Sequence, residues 1–84
     1  MRDIEEALIA LKNEQLRIAT TWQRAHELAQ RHEGEAAYDR LHALVHRIEG
    51  DDSNAAYWYR RAGEPVFQGE LVDEVELLIE RAKA

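Results

Sequence analysis

His42, His46 and Glu49 follow one another at steps of four and three, so on a helix their side chains fall within an arc of roughly 60°. Two imidazoles one turn apart can reach a single ion, and a carboxylate adds a third donor, so this spacing suits a divalent metal. His26 stands one turn after Trp22, at the edge of an apolar stripe of its own, and supplies a further donor if the two segments pair. The competing reading is structural. Histidines at the margin of a core commonly hydrogen-bond a carboxylate or a carbonyl, and the order H-x-x-x-H lacks the glutamate that directly follows the first histidine in H-E-x-x-H proteases.

A second polar group lies a few residues on, in EGDDSNAAYWYRRAGEP. Tyr57, Arg60 and Arg61, with Asp51 and Asn54 at the start of the same segment, offer an anion-binding surface, because guanidinium groups present paired donors and stack on aromatic rings. Against this, Arg60 and Arg61 have acidic neighbours to pair with in Glu49, Asp51, Asp52 and Glu64, and an aspartate at a helix start is a cap before it is a ligand. Trp58 shares a face with Ala55, Tyr59 and Ala62 and is expected in the core.

The elements that must position these residues are helical. Ile4, Leu8, Leu11, Gln15, Ile18, Trp22, Ala25 and Ala29 recur at alternating steps of four and three, which predicts one long N-terminal helix ending near His32. Thr20 and Gln23 fit a capping box that would instead divide it in two. Residues 35–49 read as a second helix burying Ala37, Leu41, Leu44, Val45 and Ile48, with Gly50 as its stop. A third, capped by Asp51, Asp52 or Ser53, runs to about Ala62. A last helix over 70–83 carries Leu71, Val72, Val75, Leu78, Ile79 and Ala82 on one face. No segment alternates with the period of a strand, so the expected fold is all-α: a single domain over 1–84, a small bundle or irregular array of four to five helices with a long N-terminal helix.

The run from His46 to Gly63 resembles a group of small uncharacterised proteins, chiefly bacterial, that share the pattern H-R-x-E-G-D-x-x-N-A-x-Y-W-Y-R-R-A-G. A weaker similarity links Ala55, Trp58, Tyr59 and Ala62 to the second helices of Sel1-like and tetratricopeptide units. One such unit cannot stack into a solenoid. The resemblance implies a helical fold and brings no mechanism with it.

Composition bounds the function. The chain has 84 residues and buries only roughly 60–65% of its unfolded surface, which leaves a thin core. A net charge of -6, with 17 acids against 11 bases, argues against a nucleic-acid backbone as partner. Without cysteine there is no disulfide or thiolate chemistry. The absence of a basic, apolar leader and of any run of roughly 20 apolar residues predicts a cytoplasmic protein with no membrane partner. Thr20, Thr21 and Ser53 are the only hydroxyls besides the tyrosines, and none lies in a glycine-flanked elbow that would make a nucleophile.

Two functions follow. The first is a non-catalytic interaction or small-ligand-binding module that self-associates as a homo-oligomer through the N-terminal stripe. The second is a divalent-metal or acid–base site on His26, His42, His46 and Glu49, beside a Tyr57/Arg60/Arg61 anion clamp.

Overall fold

A computed structural model describes residues 1–84 and contains five α-helices and no strand: α1 (Arg2–Asn13), α2 (Thr20–Arg31), α3 (Ala36–Ile48), α4 (Asp52–Arg61) and α5 (Leu71–Lys83). No helix is long and apolar enough to cross a membrane.

The long N-terminal helix expected from periodicity is two helices. After Asn13 both Gln15 and Leu16 take φ of 59°, and the Leu16 amide donates back to the Leu11 carbonyl at 2.8 Å, which closes α1 and reverses the chain. The reason is coverage. An unbroken helix over 3–32 would be about 45 Å long, whereas the longest dimension of the protein is 27 Å. Folding back lets Ile4, Leu8 and Leu11 of α1 share a core with Ala25, Leu28 and Ala29 of α2. Within the chain the stripe is at least partly covered except at Gln15 and at Ile18, which lie in the connection, Ile18 being 61% exposed. Helix α2 begins at Thr20 after Ala19, with no side-chain cap, so the Thr20/Gln23 box marks the right boundary without forming.

Helix α3 is the axis of the fold. It packs against α2, α4 and α5, and every side chain from Tyr38 to His46 is buried. A helix enclosed on three sides must satisfy its polar residues from its neighbours. Ala37, expected in the core, is instead on the surface. At the C-terminus of α3, Gly50 adopts φ of 85°, a conformation that a side chain would strain, and the Asp51 amide returns to the His46 carbonyl at 3.0 Å. Asp51 then caps α4 by accepting from the Asn54 amide at 3.2 Å.

Helix α5 seats Val75, Leu78, Ile79 and Ala82 on α1 and α3, but Val72 remains 53% exposed, contrary to the sequence expectation. Glu74, on the face between them, is wholly buried. Its carboxylate forms ion pairs with Arg40 at 2.7 Å and Arg47 at 2.6 Å and accepts a hydrogen bond from the Tyr59 hydroxyl. Arg40 also donates to Glu64 at 3.1 Å, and Glu64 accepts from Arg81. These contacts tie α3, α4, α5 and the 62–70 connection together.

Candidate metal centre

The buried face of α3 turned towards α2 and α4 holds His42 and His46, one turn apart, with nearly parallel rings whose centroids are 4.9 Å apart. His26 from α2 meets both edge-on, at 4.9 Å from His42 and 5.1 Å from His46. The three rings thus make a nearly equilateral triangle. Helix α2 is held in place for this by Trp22, whose indole N–H donates to the Val45 carbonyl of α3 at 2.7 Å and whose ring lies over His26. Trp58 of α4 stacks on His42 at 3.8 Å with an interplanar angle of 11°. Each of the three packed helices therefore contributes: α2 and α3 the imidazoles, α4 the wall behind one of them.

One ring nitrogen from each histidine can be chosen so that all three lie within 4.8 Å of one another. Tetrahedral coordination with metal–nitrogen bonds of about 2.0–2.1 Å places nitrogens roughly 3.3 Å apart, so an ion draws the rings inward. His46 is oriented from behind by Glu49, whose Oε2 is 2.6 Å from Nδ1. A carboxylate accepts through its oxygens, so a proton on Nδ1 would make His46 the donor in this contact. His42 is 3% exposed, yet its Nδ1 has no hydrogen-bond partner. A buried polar atom without a partner is uncommon and costs free energy.

Burial favours the ligating form of two of the rings. Burial, reinforced by the charges that His26 and His46 would carry, pushes the His42 pKa down to about 4. Burial and then His46 also lower that of His26, against the opposing pull of Glu49 and Glu27. Both are neutral near pH 7, as coordination requires.

Of the residues expected to bind metal, His26, His42 and His46 come together. Glu49 is not part of that group: its Oε2 lies 2.6 Å from His46 Nδ1. Glu49 and Asp51 also lie near His46 from outside, with donor atoms within 4.8 Å, but the Asp51 carboxylate is the α4 cap. The fourth histidine, His32, is remote in role, bonded to Glu35 at 2.9 Å and stacked on Tyr38.

The expected anion clamp does not assemble as one site. Asp51 and Asn54 make the cap at the start of α4. Arg61, near its end, donates to the Tyr57 hydroxyl at 2.9 Å and lies over the Trp58 ring, while Arg60 is exposed. Glu64, the acid nearest these arginines in sequence, is engaged by Arg40 and Arg81 instead. Sequence reasoning missed Trp58 as the stacking wall of His42 and Trp22 as the strut between α2 and α3. The four-residue step from Trp22 to His26 was the one available signal. Comparison of the chain with protein-family profiles, with characterised proteins and with solved structures finds no match, so the functional reading rests on this geometry.

Proposed function

We propose that this protein binds one divalent transition-metal ion of the zinc class through His26, His42 and His46, with Glu49 holding His46 at Nδ1. The observation that carries the reading is the convergence of three buried or half-buried imidazoles from two helices, one of them with a nitrogen that no protein group satisfies. Three imidazoles favour zinc, copper, nickel or cobalt over calcium or magnesium, which prefer oxygen ligands. The ion would cross-link α2 to α3, adding binding free energy to the folding of a chain with a thin core. The test is elemental analysis of protein produced without a histidine tag and dialysed against micromolar zinc. About one zinc per chain is expected, and none in His42→Ala or His46→Ala. A metal content equal to the buffer blank in the unaltered protein overturns the reading.

A further inference from the structure

We infer that the metal in this centre keeps one coordination position for a small exogenous anion, so that the site is of the open rather than the closed, purely structural kind. This rests on the metal-binding reading above and goes one step past it. Closed zinc sites use four protein donors, whereas reactive ones use three and leave the fourth place to water or substrate. The group that gathers around the rings here has three members, His26, His42 and His46, and takes in no fourth donor. Glu49 stands outside that group, with its Oε2 2.6 Å from His46 Nδ1, and Asp51 caps α4.

Charge and access agree with the count. Three neutral imidazoles leave both positive charges of the ion uncompensated, so an anion in the remaining position is favoured over a neutral ligand. His42 and His46 are almost wholly buried, whereas His26 at the α2 edge is partly exposed, so solvent reaches the cluster from the His26 side. Size is limited by the surroundings. The two cavities of the protein lie elsewhere: one is lined chiefly by Ile4, Leu41, Leu78 and Ala82, the other by Lys12, Leu16, Val72 and Val75. With no chamber beside the histidines, the ligand is an ion of a few atoms, such as bicarbonate, formate, azide or hydroxide. Binding is ligand exchange: a lone pair of the anion forms the new metal bond as water leaves, and nothing is oxidised or reduced.

Cobalt(II) makes this visible, because its d–d absorption responds to the ligand set. Cobalt-loaded protein is titrated with sodium azide, alongside Glu49→Gln. The expected result is a saturable shift of the visible band by azide in both proteins. A cobalt band that azide does not alter in the unaltered protein overturns the inference and leaves metal binding standing. An azide response found only in Glu49→Gln overturns it too, by identifying Glu49 as the fourth ligand. Absence of any protein-dependent cobalt band overturns the metal reading itself.

Discussion

His46 Nδ1 and Glu49 Oε2 are 2.6 Å apart across one turn at the end of α3. That contact holds the His46 ring in place beside His26 and His42. Outer partners of this kind typically change metal affinity 10–100-fold when removed. Glu49→Ala is therefore expected to weaken zinc binding by about that factor while the helical circular dichroism is retained, measured by competition with a chromogenic chelator. Unchanged affinity would show that His46 needs no such support.

Acidification should destabilise the metal-free protein through His42. Its pKa is about 4 in the folded state, depressed by burial and then by His26 and His46, against the ordinary value of 6.5. Below 6.5 the unfolded chain takes up a proton that the folded protein refuses, so stability falls as pH drops from about 6.5 towards about 4, and His26 shifts it with the same sign. The loss from His42 should be on the order of 1–3 kcal/mol. Urea denaturation across this range, compared with His42→Gln, isolates it. Equal slopes in the two proteins would refute the assignment.

Glu74→Ala should be among the most damaging substitutions. It strips the counter-charge from Arg40, which is buried, and from Arg47, and it removes the acceptor of Tyr59, whose pKa burial and then Glu74 push up to about 12. Breaking a buried ion pair from one side costs about 3–5 kcal/mol, a large part of a small domain's stability. Chemical unfolding would measure it, and a loss below about 1 kcal/mol would show that Arg40 and Arg47 find other partners.

Gln15→Gly tests the break that made two helices of one stripe. An exposed non-glycine residue at φ of 59° bears a cost of roughly 1–2 kcal/mol, which glycine relieves at the expense of about 0.5–1 kcal/mol of chain entropy. A gain of up to about 1 kcal/mol in thermal unfolding is expected, with no gain for Gln15→Ala. A destabilised glycine variant would contradict the account of the turn.

The helical class, the boundaries of α3 to α5 and the histidine convergence were legible because each depends on short-range spacing. His42 and His46 share a face on any helix, and His26 joins them once α2 pairs with α3. The break after Asn13 was not legible, because the six residues 14–19 carry the apolar phase across the turn and leave the stripe unbroken on paper. Gln15, the polar interruption in that stripe, marks the place. The burial of Glu74 was hidden for a different reason. It sits beside Val75 in the stripe of α5, and only its distant partners Arg40, Arg47 and Tyr59 explain a charge there. Of the residues expected to hold an anion, Tyr57 and Arg61, four apart, contact each other, while Asp51 and Asn54 meet in the cap.

The most direct measurement is a calorimetric titration of metal-stripped, tag-free protein with zinc, repeated on His42→Ala and His46→Ala. Binding at a ratio of about one ion per chain, lost in both variants while their helical spectra persist, is the predicted result. Heats no different from dilution in the unaltered protein, or binding that persists unchanged in both variants, would contradict it.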